Sequence, residues 1–154
     1  MSPLRSFVVR RLGATDIEIF RQLLGVMGRA FDEMETYTRA QPSTAYLGAL
    51  LDGGSFIALA AVDEQFVVGG LAAYELQKFE QERREIYIYD LAIASEHRRK
   101  GIATALINEL KSIGAARGAH IMYVQADRSD EPAVALYANF GRREDVFHFN
   151  IAVR

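Results

Sequence analysis

Apolar positions along the chain recur with two periods, and the switches between them mark its elements. Residues 7–12, Phe-Val-Val-Arg-Arg-Leu, read as a first strand. Thr15-Asp16-Ile17-Glu18 has the spacing of a capping box. The helix it opens carries Ile17, Phe20, Leu24, Met27 and Phe31 at alternating gaps of three and four, a core-facing stripe. A polar stretch over 32–43 precedes a short helix over 44–51, stopped by Asp52-Gly53-Gly54. Residues 55–62 and 66–76 form a hairpin around Asp63-Glu64-Gln65. After a charged connection over 78–84, residues 85–93 are apolar or aromatic on both alternating faces, as in a strand covered on both sides. A helix follows over 101–116, with Ile102, Leu106, Leu110 and Ile113 on one face, then a strand over 121–126. A short helix over 132–139 has Pro132 in its first turn and Gly141 past its end. A last strand is predicted over 146–153. The order β-α-α-β-β-β-α-β-α-β is that of a mixed α/β domain on one sheet.

Composition narrows the class. The 154 residues show no repeat or linker-like shift, so one domain over 1–154 is expected. No apolar run approaches the roughly 20 residues of a membrane span. The absence of cysteine removes disulfides, thiolate zinc sites and a cysteine nucleophile, and three scattered histidines make a poor metal site. No metal is expected. A net charge of −2 lacks the basic field of general nucleic-acid binders. Residues 1–7 lack the apolar core of a signal peptide, so a cytoplasmic protein is expected.

The densest chemistry lies in Tyr89-Asp90-Leu91-Ala92-Ile93, followed by a turn with Arg98-Arg99-Lys100-Gly101-Ile102-Ala103. A strand thus runs through a basic, glycine-containing turn into a helix. Helix N-termini carry unpaired N–H groups and partial positive charge, and so attract phosphates. Three cations there oppose the helix dipole, which suggests a bound anion as well as allowing a solvated basic turn. Asp90 interrupts an apolar strand, where a carboxylate is costly unless it is paired or faces a cleft. That makes it a candidate base, acting directly, through a water, or by orienting a cationic amine. A structural carboxylate is the alternative reading.

Arg98-Arg99-Lys100-Gly101-Ile102-Ala103 resembles the Arg/Gln-x-x-Gly-x-Gly/Ala signature of the GCN5-related N-acetyltransferase (GNAT) superfamily. Pro132-Ala133-Val134-Ala135-Leu136-Tyr137-Ala138-Asn139-Phe140-Gly141 resembles its Ala-x-x-Leu-Tyr…Gly helix. Phe56-Ile57-Ala58-Leu59-Ala60-Ala61, Lys78-Phe79-Glu80-Gln81, Glu85-Ile86-Tyr87-Ile88-Tyr89-Asp90-Leu91-Ala92 and Tyr123-Val124-Gln125-Ala126-Asp127 are similar to the aminoglycoside 3-N-acetyltransferases of this type. The likeness runs from about Arg10 to Ile151. It implies a single-domain GNAT fold, with a mixed, mostly antiparallel sheet flanked by about four helices. It also implies an acetyl-coenzyme A-dependent transferase acting on the 3-amino group of the deoxystreptamine ring of gentamicin-like antibiotics, and so resistance. Another cationic amine, such as a polyamine or a protein lysine, is the alternative acceptor.

On the same basis Asp90 is the implied base and Tyr137 the acid that protonates the departing sulfur. The coenzyme would be held by Leu91, Ala92, Ile93, Arg98, Arg99, Lys100, Gly101, Ile102, Ala103 and Thr104, with the Leu91 and Ile93 N–H groups polarising the carbonyl where the strand splays from its neighbour. A polycationic acceptor calls for acidic partners. Asp32, Glu35, Asp127 and Glu144 are candidates beside Tyr89 and Asp90; Glu33, Glu80, Glu82, Glu85 and Asp145 are weaker ones. Tyr37, Tyr87 and Tyr89 are candidates to pack on sugar rings. His148 reads as a satisfied strand histidine. A homodimer is expected by analogy, with the last strand at its interface.

Overall fold

A computed structural model of the chain describes residues 6–154. Most of the N-terminal stretch read for a leader lies outside the described residues. Five strands, β1 (Val8–Arg11), β2 (Phe56–Asp63), β3 (Phe66–Gln77), β4 (Arg84–Ile93) and β5 (Ala119–Val124), form one sheet in the order β1-β2-β3-β4-β5. The β2–β3 and β3–β4 connections are short, so those pairs are antiparallel, as is β1–β2. β4 reaches β5 through a crossover helix, α3 (Ile102–Ala116), and that pair is parallel. Helices α1 (Ile17–Ala30) and α2 (Thr44–Asp52) pack on the opposite face from α3, and α4 (Glu131–Ala138) follows β5. The fold is the expected mixed, mostly antiparallel sheet with four α-helices. Among the described residues no helix is long and apolar enough to cross a membrane.

The sheet separates two cores. Ile57, Leu59, Leu71 and Ile86 meet Leu106 and Leu110 of α3. Phe56, Ala58 and Ala60 meet Phe20, Leu23 and Met27 of α1 and Leu47 of α2. Successive residues of β2 therefore enter opposite cores, which is why that strand is apolar without alternation. The α1 side is paved with small residues, Ala58, Ala60, Gly70 and Ala72, so α1 lies close to the sheet. Arg117, just past α3, donates to both Glu75 carboxylate oxygens at 2.9 and 2.6 Å and to the Gly54 carbonyl at 2.7 Å. These bonds hold the carboxyl of Glu75 below the usual range, its burial notwithstanding. They also pin the C-terminus of α3 to one end of the sheet, leaving its N-terminus at the other.

Four expectations need correction. α1 buries Phe20, Leu23, Val26 and Met27, whereas Phe31 is over a third exposed beyond its end. Its apolar arc is wider than one stripe, and close docking on the small sheet residues selects the Leu23 side. No capping box forms: Asp16 turns its carboxylate back to the Gly13 N–H, at 2.7 Å, and to Arg10. β4 is buried on both faces only in part, since Tyr89 is 60% exposed. The strand predicted over 146–153 is absent; those residues join no sheet among the described residues. Alternation specifies a strand's two faces, but a strand also needs a ladder partner.

Candidate active site

The site begins with one extra residue in β4. Across β3–β4, Ala72 pairs with Asp90 and Ala73 with Ile88, so Tyr89 is a β-bulge. Before it, Ile86 and Ile88 point into the α3 core. After it the parity is reversed: Leu91 and Ile93 pack on that core, and Ala92 enters the α1 core. Without the bulge Asp90 would share the face of Ile86 and Ile88. With it, the carboxylate turns to the α1 side, where the Tyr37 hydroxyl donates to its Oδ2 at 2.7 Å. Tyr37 stands on a single π-helical turn, Glu35–Arg39, tied to α1 by the Glu33 N–H bond to the Gly28 carbonyl, 2.8 Å. Burial pushes the Asp90 carboxyl up from its ordinary value, and the Tyr37 bond opposes the rise. The Tyr37 phenol is itself raised, by burial first and then by its bond to Asp90, so it remains a donor.

Beyond Ile88, β4 loses its second neighbour. The β4–β5 pairing ends at Ile88 and Val124. The Ala94 N–H bonds the Val68 carbonyl at 2.9 Å. Antiparallel alternation then directs the Leu91 and Ile93 N–H groups away from β3, toward the side β5 has left open. Tyr137 of α4 is half-buried; burial pushes its phenol up to about 12, with smaller contributions from Asp130 and Asp90. Asp90 and Tyr137, remote in sequence, thus lie within electrostatic reach of each other.

The basic turn lies past the same end of β4. Arg99 (φ 62°) and Gly101 (φ 79°) are both left-handed, a backbone course that gathers N–H groups into a concavity. Gly101 caps α3 without a side chain, and a Cβ there would meet nothing within 4 Å. The conformation calls for glycine, and the space above it is open. Arg98, Arg99 and Lys100 are exposed, and among the described residues no carboxylate pairs with them. Ile102 and Ala92 bury their side chains and offer a ligand only backbone; Ala103 is half-buried and Thr104 exposed.

An aromatic row crosses the α1 face of the sheet. Phe56, Tyr74, Tyr87 and Tyr123 are partners in register from β2 to β5. Tyr87 stacks on Tyr123 at 4.7 Å and 7°, and Tyr89 sets its ring edge-on to Tyr74 and Tyr87, 5.8 Å from each. The Tyr87 hydroxyl donates to Gln125 Oε1 at 2.7 Å. Asp90 follows the row directly on β4. The sequence singled out Tyr37, Tyr87 and Tyr89; Tyr74 and Tyr123 become visible only once the strand register is set. The acidic candidates are more dispersed. Asp32 is exposed, and Glu35 is exposed in an ion pair with Arg39. Asp127 is exposed after β5, and Glu144, near the C-terminus, lies 4.0 Å from Arg142. Glu80 and Glu85 are both engaged by Lys78.

A family model described as Acetyltransferase (GNAT) family matches residues 20–141. The chain belongs to this family. It is similar to the crystal structure of HMB0005, an aminoglycoside acetyltransferase from an uncultured soil metagenomic sample, at 56% identity and a TM-score of 0.95. That match covers 96% of this chain and 99% of the other, so it leaves out less than the length of segment 142–154. A second aminoglycoside acetyltransferase of soil metagenomic origin, meta-AAC0020 in complex with sisomicin, is 29% identical over 96% of this chain and 97% of its own, with a TM-score of 0.89. N-acetyltransferase 8B of Rattus norvegicus is 30% identical over 92 residues, 60% of this chain; the chain spans 41% of that protein.

GNAT enzymes in general use acetyl-coenzyme A. The residues of this GNAT chain fit that molecule: a left-handed glycine cap with open space above it, three unpaired cations, and outward N–H groups beside an open strand edge. Arg98, Arg99, Lys100 and the first turn of α3 would hold the diphosphate, and β4 beyond Tyr89 the pantetheine arm. The Tyr37–Asp90 bond makes a separate prediction. Tyr37→Phe removes the donor that favours the ionised carboxylate, so the pKa of Asp90 rises further. If Asp90 works as the anion, the acid limb of the kcat/KM profile moves to higher pH. A pH–rate series on the two proteins reads this directly, and an unmoved limb would disconnect Tyr37 from the titration.

Proposed function

We propose that this GNAT transfers an acetyl group from acetyl-coenzyme A to the 3-amino group of the deoxystreptamine ring of gentamicin-like aminoglycosides, and that it thereby confers resistance. The observation that carries the reading is the bulge at Tyr89. It sets a half-buried carboxylate at the end of a row of aromatic rings, the surface a polycationic sugar requires. Likeness to the two soil aminoglycoside acetyltransferases over nearly the whole chain supports the substrate class. The position acetylated rests on the motif resemblance.

Acetyl-coenzyme A supplies the thioester and its acyl group. Asp90 attracts the ammonium of the acceptor and takes its proton, directly or through one water; its raised pKa makes it a better base than a free aspartate. The Leu91 and Ile93 N–H groups donate hydrogen bonds at the open edge, where a carbonyl gains negative charge. Tyr137, raised to about 12, is protonated at neutral pH and donates to the departing sulfur. Tyr89 and the aromatic row bear the sugar rings, and Asp32, Glu35, Asp127 and Glu144 supply negative charge around them.

Thiol release from acetyl-coenzyme A, measured with gentamicin, kanamycin and spermidine side by side, tests the proposal. Gentamicin is expected to turn over most efficiently, with the acetyl group found on the 3-amino nitrogen by NMR of the product. Efficient turnover of spermidine with none of gentamicin would refute the antibiotic reading. Acetylation at another amino group would refute the position alone.

A further inference from the structure

Gln125 is the first residue past β5, where the pairing with β4 has just ended at Ile88 and Val124. Tyr123 belongs to the aromatic row and Val124 packs on the α3 core, so alternation returns Gln125 to the acceptor face. Its carboxamide is oriented there through one atom. Oε1 accepts from the Tyr87 hydroxyl at 2.7 Å and lies 3.2 Å from His148 Nδ1. His148 is held on its other side as well, its Nε2 3.0 Å from Asn150 Oδ1. With the oxygen committed, the amide nitrogen is left over: among the described residues Gln125 Nε2 has no hydrogen-bond partner. Gln125 is exposed, so that nitrogen is open to a ligand. The Tyr87 phenol is raised by burial first and then by Tyr123, Tyr89 and Asp90, which puts the Tyr87–Gln125 bond within electrostatic reach of the candidate base.

We propose that Gln125 determines specificity among acceptors: its amide N–H₂ donates to a hydroxyl of the sugar linked beside the reacting amine, and so disfavours acceptors that carry a second amine there. The inference rests on the saccharide reading of the site. The other side chains offered to a polycation, Asp90, Asp32, Glu35, Asp127 and Glu144, are carboxylates, which when ionised only accept. An amide N–H₂ only donates, and an ammonium has no lone pair to receive it. A hydroxyl both donates and accepts, so it suits a place shared by Gln125 and the tyrosine hydroxyls. In the deoxystreptamine antibiotics an amino sugar is linked to the ring carbon next to the one that bears the 3-amino group. With that amine at Asp90, the linked sugar is the part of the acceptor next in line for Gln125, which stands one strand over from the bulge beside Asp90.

Calorimetric titration of kanamycins A, B and C into the full chain saturated with coenzyme A tests this on one scaffold. Kanamycins A and B differ only at the second carbon of that sugar, C and B only at the sixth, with a hydroxyl against an amine in each pair. Gln125→Glu keeps an oxygen for Tyr87 and His148 but puts a carboxylate oxygen where the N–H₂ stood. The affinity of the hydroxyl-bearing member relative to the amine-bearing one is expected to fall about fivefold or more in one pair, the worth of a single hydrogen bond, and by less in the other. A smaller change in both pairs would overturn the proposal. So would an equal fall in both, the signature of an added charge acting at long range. An equal loss for all three acceptors leaves both ratios unmoved and would make Gln125 a structural partner of Tyr87 alone. A parent protein that binds none of the three would also overturn the role of Gln125; if it fails to bind gentamicin as well, the acceptor reading itself falls.

Discussion

Asp90→Asn is expected to lower kcat by about 10²–10⁴-fold, the usual loss when a positioned general base is removed, while coenzyme A binds almost as before. Asparagine keeps the size of the side chain and still accepts the Tyr37 hydroxyl bond, so the bulge and its surroundings need not move. It cannot take a proton or attract an ammonium by charge. The groups proposed to hold the coenzyme, the turn at 98–101 and the outward Leu91 and Ile93 N–H groups, are not part of the Asp90 side chain, so the substitution leaves them in place. Thiol-release kinetics with gentamicin and calorimetric titration with coenzyme A separate the two effects. Turnover equal to that of the parent enzyme would remove Asp90 from the chemistry; loss of coenzyme affinity along with turnover would make it a structural residue.

Gly70→Ala is expected to be the most damaging single-methyl change in the fold. A Cβ at Gly70 would stand 2.5 Å from the Leu59 carbonyl oxygen and 2.5 Å from Leu23 Cδ1. Leu23 is a flexible tip but fully buried, and the Leu59 oxygen is fixed in the sheet. Either α1 lifts or β2 and β3 part. Overpacking of this kind costs about 1–3 kcal/mol and sometimes more, which at roughly 2–4 °C per kcal/mol is an easily measured fall in melting temperature. Gly48 supplies the contrast. It lies inside α2, and a Cβ there meets nothing within 4 Å. Gly48→Ala should therefore raise stability by about 0.5–1 kcal/mol. Thermal melts of the two variants with the parent settle both; a Gly70→Ala protein as stable as its parent would show that α1 is not held as close to the sheet as described.

Much of the architecture was legible because side-chain period reports local structure directly. The α3 face of Ile102, Leu106 and Leu110, the β2–β3 hairpin and the glycine-capped basic turn all appear as read. What escaped depends on pairing between distant segments. The bulge at Tyr89 has no composition of its own; it exists only as a mismatch between β3 and β4. The Tyr37–Asp90 bond spans 53 positions and issues from a stretch that looks merely polar. Tyr74 and Tyr123 are ordinary strand tyrosines until register aligns them with Tyr87. The last segment failed in the other sense. Its alternation is a sound strand pattern, yet among the described residues no strand pairs with it.

The extra residue in β4 has a consequence for how this gene can drift. Side chains before and after Tyr89 answer to opposite parity, so substitutions in either half can accumulate independently. Loss of a codon anywhere between Ile86 and Ala92 would instead erase the phase change. Ile88 and Asp90 would then pair with Ala73 and Ala72 as successive residues, the carboxylate and Ala92 would keep their side of the sheet, and the surplus residue that sets the Tyr89 ring between Tyr74 and Tyr87 would be lost. A one-residue gap in this stretch of a related gene should therefore mark a flush β3–β4 ladder that keeps the acid and gives up the protruding ring.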